Sequence, residues 1–92
     1  MSVIVRVPTI LRSYTGGDAE VNASGATLNE VLHDLETRHS GLLTRILDDN
    51  GKIRRFVNIY VNEEDVRFEQ GLETPTPAGT NISILAAVAG GF

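Results

Sequence analysis

The sequence predicts an α+β domain in which one main helix packs across one face of a mixed sheet. Three observations support this. Segments of alternating β-branched residues lie near both ends of the chain, a further alternating segment lies in its second half, and a single long amphipathic segment lies between them. A chain of 92 residues has room for one domain and one small core.

The first two strands are predicted to form a hairpin. Residues 2–7 place valines at every second position, which is typical of a half-buried strand, and Pro8 then ends regular ladder pairing. A Gly-Gly-Asp turn signal over residues 16–18 precedes a short second strand at residues 19–23. This second strand is expected to pair back on the first.

The main helix is predicted to begin at Thr27, where Thr27 to Glu30 match a capping box. In that motif the Thr27 hydroxyl accepts from the Glu30 amide, and the Glu30 carboxylate reaches back to the Thr27 amide. The apolar positions then follow the helical period: Leu28, Val31, Leu32 and Leu35. Gly41 suits the end of this helix, and residues 42–47 indicate a second, shorter helical turn.

The second half of the chain supplies the remaining strands. The clearest runs from Arg54 to Val61, with Val57, Ile59 and Val61 on one face and Phe56, Asn58 and Tyr60 on the other. Residues 66–68 are expected to form a brief strand or bridge. Residues 81–86 form the last strand, which we expect to lie beside the first, as in a ubiquitin-like β-grasp. The predicted division is a β-grasp domain over 1–86 and a flexible tail over 87–92.

Composition excludes several function classes. Twelve acidic residues against eight basic ones give a net charge of −4, which argues against nucleic acid and fits a partner with a basic docking surface. The absence of cysteine excludes disulfides, zinc–thiolate sites and a thiol nucleophile. No apolar run approaches the roughly 20 residues that span a bilayer. Neither His33 nor His39 has a metal-ligand spacing, so we expect no bound metal or cofactor and no catalysis by this chain alone. The lack of cysteine, of a membrane-spanning run and of a signal-peptide pattern predicts a cytoplasmic location.

The C-terminus is the most informative segment, because Gly90-Gly91 stands one residue from the end, before Phe92. Glycines lack Cβ, so the Gly-Gly end is slim enough to thread a narrow channel into the active site of another protein. Ala89 and Gly90 are the residues expected to pass through that channel. Many chains also end in glycines without such a role. The dipeptide gains weight from the β-grasp pattern and from the strand that ends just before it.

The sequence resembles the MoaD/ThiS-type ubiquitin-like sulfur carriers over essentially its whole length. The resemblance rests on the block from Phe56 to Phe68 and on the Gly-Gly end. Together with the opening Val7-Pro8-Thr9-Ile10-Leu11-Arg12, that block looks most like the CysO-type carrier of cysteine biosynthesis. The resemblance implies that an E1-like enzyme, using ATP and Mg²⁺, adenylates the Gly91 carboxylate, which a sulfur donor then converts to a thiocarboxylate.

In the CysO-type pathway the resemblance implies two further partners, a pyridoxal-phosphate-dependent (PLP) cysteine synthase and a JAMM-type zinc peptidase. The peptidase is expected to remove Phe92, because Gly91 is locked in a peptide bond while Phe92 follows it. A chain whose terminus is never activated is the alternative. Two other functions stay open: the small subunit of molybdopterin synthase, and a ubiquitin-like protein modifier, for which Lys52 would be the one lysine for chain formation.

A docking surface is expected on the open face of the sheet. We expect Val57, Ile59 and Val61 to face the helix. The opposite face then exposes a set of apolar residues with Arg6 on its rim: Ile4, Phe56, Tyr60 and Leu85. Exposed apolar clusters commonly mark protein interfaces. The alternative is that loops cover this face as a minor core.

Overall fold

The computed structural model describes residues 2–86, and within that range five strands form one mixed sheet in the order β2-β1-β5-β3-β4. The strands are β1 (Val3–Arg6), β2 (Glu20–Ala23), β3 (Val57–Val61), β4 (Glu64–Asp65) and β5 (Asn81–Ala86). The first and last strands are parallel neighbours, and the other pairs are antiparallel. The predicted fold class, a β-grasp with a mixed sheet, is confirmed.

Two α-helices, α1 (Leu28–Arg38) and α2 (Leu43–Ile46), lie against the sheet, and three 3₁₀ segments span Thr9–Thr15, Val66–Phe68 and Gly71–Glu73. All four predicted apolar positions of α1 are fully buried in the core. They pack against the inward residues of the sheet, which alternate with exposed ones along β1 and β2. None of the helices within residues 2–86 has the length and apolar character that crossing a membrane requires.

The start of α1 follows the capping box with one correction. The Thr27 hydroxyl accepts the Glu30 amide at 3.3 Å, as predicted. The Glu30 carboxylate instead accepts the amide of Ala26, at 2.9 Å, and not that of Thr27. Gly25 lies so close to this first turn that an added Cβ would stand 2.6 Å from the Val31 amide nitrogen. The chain therefore needs glycine where it passes under the helix.

Three local predictions were wrong or incomplete. The strand predicted from Arg54 begins only at Val57, because the Arg54 amide donates to the Ile46 carbonyl and its side chain to the Thr44 carbonyl, which ties this residue to α2. Residues 66–68 form a 3₁₀ turn capped by the Asp65 carboxylate. The 3₁₀ segment over residues 9–15 was not predicted, and it packs beside the end of β1.

Candidate functional site

The open face of the sheet holds three of the four predicted apolar docking residues, and polar side chains separate them. Ile4 is 44% exposed and lies beside Asn81, while Leu85 is 49% exposed and lies four residues further along β5. Tyr60 is half-buried and lies across from Ser83. Since Asn81 and Ser83 share this face, the apolar residues are spread over a mixed surface rather than joined in one cluster. Their role in docking stays a prediction.

Arg6 lies on the same face and forms an ion pair with Glu20 at 3.1 Å, in which both side chains are more than half exposed. An exposed pair of this kind contributes little to stability, so Arg6 can change partners at low cost. It borders two depressions, one beside the Asn62–Glu63 turn and one at the end of β5. Arg6 therefore lies between two concave surfaces.

Phe56 does not lie in the sheet, although the strand prediction placed it there. It stands in the turn before β3 and is 38% exposed. It borders a separate depression of about 580 Å³ with Asp48, Arg54 and Arg55. Because Val57 pairs with Ala86, this turn lies close to the point where β5 ends.

A groove of about 460 Å³ opens where β5 ends, between that strand and the chain that leaves β1. Its lining includes Arg6, Val7, Pro8, Thr9, Arg12, Asn58, Ile84, Leu85 and Ala86. Residue 86 is the last one that the structure describes, so the groove adjoins the base of the C-terminal segment. The predicted tail residues Ala89, Gly90, Gly91 and Phe92 lie outside the described residues.

The groove exists because the ladder between β1 and β5 stops early. The last parallel pair is Arg6 with Ser83. In this register the Ile84 amide donates to the Arg6 carbonyl, and the next bond would need an N–H on residue 8. Proline has no N–H to donate. Within residues 2–86, no hydrogen-bond donor takes its place at the Ile84 carbonyl.

Arg12 forms one wall of this groove. Its Nε donates to the Val7 carbonyl at 3.0 Å, which fixes the guanidinium beside the end of β1. The 3₁₀ segment that carries it is fastened to α2, where Arg45 Nε donates to the Tyr14 hydroxyl at 2.6 Å. Arg12 was not among the predicted docking residues. Its signal in the sequence was a proline directly after a strand, followed by a basic residue, but only the register shows that the two border one groove.

Carboxylates with lowered pKa values lie in α1 and at turns, each bonded to its own partners, rather than in a catalytic cluster. Hydrogen bonds from the Gly41 and Leu43 amides lower the pKa of Glu36, and the Lys52 amide is the largest cause of the lowered pKa of Asp48. The hydrogen bond from the Arg67 side chain lowers the pKa of Asp65. Among residues 2–86, no three histidine or acidic side chains gather closely enough to hold a metal ion.

The model of the ThiS family matches residues 5–91 of this chain. The chain belongs to the ThiS family. That match extends through the Gly-Gly dipeptide, and it confirms the resemblance to the ubiquitin-like sulfur carriers.

Similar proteins and solved structures agree with this assignment. The sulfur carrier protein CysO of Mycobacterium tuberculosis is 55% identical over 93 residues, which cover 99% of this chain and 100% of that protein. A solved BexX/CysO complex from Amycolatopsis orientalis contains a chain that matches with a TM-score of 0.90 and 50% identity, covering 97% of this chain and 99% of its own. The small archaeal modifier protein 1 of Methanosarcina acetivorans matches with a TM-score of 0.82 and 29% identity, covering 98% and 96%.

Proposed function

We propose that this protein carries sulfur as a thiocarboxylate on Gly91 and donates it to cysteine biosynthesis. The observation that carries the proposal is the 55% identity with CysO over the whole chain. The family match through residue 91 supports the choice of terminal glycine. In this role the chain is a protein co-substrate, and its partner enzymes supply the catalytic groups.

The chemistry needs two steps at the Gly91 carboxyl group. The carboxylate oxygen attacks the α-phosphorus of ATP, the bond to the β-phosphate breaks, and pyrophosphate leaves with an acyl-adenylate on Gly91. A sulfide donor then attacks the acyl carbon, AMP leaves, and the thiocarboxylate remains. An E1-like enzyme holds ATP and Mg²⁺ for these steps, so this chain binds neither. ATP is available in the cytoplasm, where we place the reaction.

Phe92 must be removed before the first step, because its amide bond occupies the Gly91 carboxyl group. We assign that hydrolysis to a JAMM-type zinc peptidase, in which water adds to the Gly91 carbonyl carbon and the amine of Phe92 leaves. The sulfur is then received by a PLP-dependent cysteine synthase. The glycine-rich end suits entry into both active sites, since Gly90 and Gly91 lack side chains.

The experiment compares the full chain with a chain that ends at Gly91. Each is incubated with the E1-like enzyme of the same organism, ATP, Mg²⁺ and sulfide, and its intact mass is measured. The chain ending at Gly91 is expected to gain the mass difference between sulfur and oxygen, and the full chain to stay unchanged until the peptidase is added. A chain ending at Gly91 that is never modified would contradict the proposal.

A second candidate is a protein modifier, in which the Gly91 acyl group is joined to a lysine of a target. The match to the small archaeal modifier protein 1 favours this alternative. The two functions differ in their products. Isopeptide conjugates in cells, recovered through a tag on the N-terminus, would support the modifier, while a terminal thiocarboxylate consumed by the synthase would support the carrier.

A further inference from the structure

We propose that the groove at the end of β5 receives an extended segment of the activating enzyme that carries an aspartate or glutamate side chain. We call this groove the strand slot and define it by Pro8, Arg12, Ile84, Leu85 and Ala86. The identity of the partner rests on the proposed function. The chemistry of the segment rests on the backbone, charge and shape of the slot.

The backbone of the slot is an unpaired strand edge. The Ile84 carbonyl lacks the donor that residue 8 would supply in a continued ladder, because that residue is proline. The Ala86 amide would next bond to the Pro8 carbonyl, but that carbonyl accepts the Leu11 amide at 2.9 Å. The Ala86 amide therefore faces the slot as a donor, while the unpaired Ile84 carbonyl lies at its floor, because Ile84 is 1% exposed. Together they offer the donor and the acceptor that an added strand uses.

The charge of the slot selects an acidic segment. Arg12 holds one wall, and within residues 2–86 no carboxylate forms an ion pair with it. Arg6 lies beside it, and its one ion-pair partner in the described part of the chain is the exposed Glu20. A carboxylate can accept from a guanidinium through two parallel hydrogen bonds, and such bonds are stronger than neutral ones. Since Arg12 Nε is already held by the Val7 carbonyl, its terminal nitrogens are oriented before the partner arrives.

The apolar part of the slot suits the side chains on either side of that carboxylate. Pro8 and Leu85 line it, and Leu85 is half exposed in this structure. In an extended segment, side chains alternate between the two faces. When an acidic residue of the segment faces Arg12, the residues before and after it therefore point to the opposite face. The slot adjoins residue 86, so a segment bound there would hold the carrier by the base of its tail.

The direct test uses two blocked pentapeptides, Val-Thr-Glu-Val-Thr and the same peptide with lysine in place of glutamate. Each is titrated into the ¹⁵N-labelled full chain while amide chemical shifts are followed. The glutamate peptide is expected to shift the amides of residues 9–12 and 84–86, and the lysine peptide to leave them unchanged. Equal shifts with both peptides, shifts confined to other residues, or shifts that appear on concentrating the protein alone would overturn the proposal.

Two variants separate the backbone from the charge. Pro8→Ala restores an N–H that can bond to the Ile84 carbonyl and close the slot, while Arg12→Gln removes the charge. Each is expected to raise the KM of the activating enzyme for the carrier about tenfold with little change in kcat. The reason is that the slot makes the same contact in the ground state and in the transition state. Arg67→Gln is the control, because Arg67 pairs with Asp65 at the opposite end of the sheet. Thermal unfolding of each variant shows that it is folded.

The outcomes distinguish this proposal from the proposed function. A chain that is converted to the thiocarboxylate with an unchanged KM in both folded variants would overturn the strand slot and leave the sulfur-carrier function intact. Selective peptide binding to a chain that no activating enzyme modifies would overturn the function and the named partner, while the acidic specificity of the slot would stand.

Discussion

The two ends of β5 are held very differently. At its start, the Asn81 amide donates to the Asn62 side-chain oxygen at 3.0 Å, and the Asn81 carbonyl accepts the Asn62 amide at 2.8 Å. On the other side the Thr80 carbonyl accepts the Ile4 amide. At its end, the strand keeps β3 as a neighbour but loses β1 after Ser83. The fold thus closes the end where the chain enters the centre of the sheet and leaves the other open.

The charges at the two ends differ as well. Arg12 lines the slot at the open end and Arg6 lies beside it, while Arg54 and Arg55 border the neighbouring depression. Acidic residues crowd the turn at the closed end: Glu63, Glu64 and Asp65. The net charge of −4 predicted a basic partner, but a net value does not describe a surface on which the arginines gather near the end of β5. The open end favours an acidic partner there.

The largest expected effect comes from truncating the same strand at its two ends. Ile82 is 1% exposed near the closed end, and Leu85 is 49% exposed at the open end. Ile82→Ala should lower the free energy of unfolding by about 2–5 kcal/mol, because it leaves a cavity in the core. Leu85→Ala should cost under about 1 kcal/mol, since surface changes usually have small effects. Urea denaturation measures both, and equal losses would contradict the comparison.

The next effect tests the anchor at the closed end. Asn62 has a positive φ of 50° and bonds to Asn81 through its side chain and its amide. Asn62→Ala should cost about 1–2 kcal/mol, because it removes a hydrogen bond and places alanine in the left-handed region. Asn62→Gly removes only the side-chain bond. If glycine and alanine are equally destabilising, the backbone conformation contributes nothing and the bond accounts for the whole loss.

Acid should weaken a turn at each end, for two different reasons. Bonds from the Lys52 and Asn50 amides lower the pKa of Asp48 near the open end, and the Arg67 side chain lowers the pKa of Asp65 at the closed end. A carboxyl group with a lowered pKa stabilises the fold fully above its unfolded value of about 3.9, and that stability is lost as the pH falls through the folded pKa. The free energy of unfolding should therefore fall below about pH 5.

Salt separates the two contributions. The Asp65–Arg67 pair is charged on both sides and partly exposed, so added salt should screen it. The Asp48 bonds come from backbone amides and should respond less. We expect Asp65→Asn to reduce the salt dependence of stability at neutral pH, and Asp48→Asn to leave it unchanged. A salt dependence that Asp48→Asn removes would reverse this assignment.

The smallest expected effect on stability comes from Pro8→Ala. The new N–H can extend the ladder to the Ile84 carbonyl, while the loss of the proline ring increases the freedom of the unfolded chain. These effects oppose each other, so the free energy of unfolding should change by under about 1 kcal/mol. Hydrogen exchange should nevertheless show a protected amide at residue 8. An unprotected amide there would mean that the 3₁₀ segment, and not the missing N–H, keeps the end of β5 open.

Sequence periodicity was sufficient to predict which residues are buried where the pattern within a single helix or strand determines burial. The stripe on α1 and the alternation of Val57, Ile59 and Val61 depend on local repeats, and both are confirmed. The predicted start of β3 was wrong because the Arg54 side chain donates a hydrogen bond to the Thr44 carbonyl of α2, a tertiary contact that the local sequence does not show. Pro8 was correctly predicted to end ladder pairing. The sequence could not show that Pro8 leaves the Ile84 carbonyl without a donor. That outcome depends on the register between two strands more than 70 residues apart.

The parallel pairing of β1 with β5 has a consequence for how the chain acquires its structure. Two neighbouring strands in the middle of the sheet, β1 and β5, come from opposite ends of the sequence, so this pair cannot form until residues 81–83 have been synthesised. Contacts of such long sequence separation slow folding, because a large loop must be ordered before they form. A chain cut before Asn81 would lack the central strand and have no complete sheet. The segment after residue 86 is therefore attached to the strand whose pairing completes the fold. A partner that binds the end of β5 would distinguish folded molecules from incompletely folded ones.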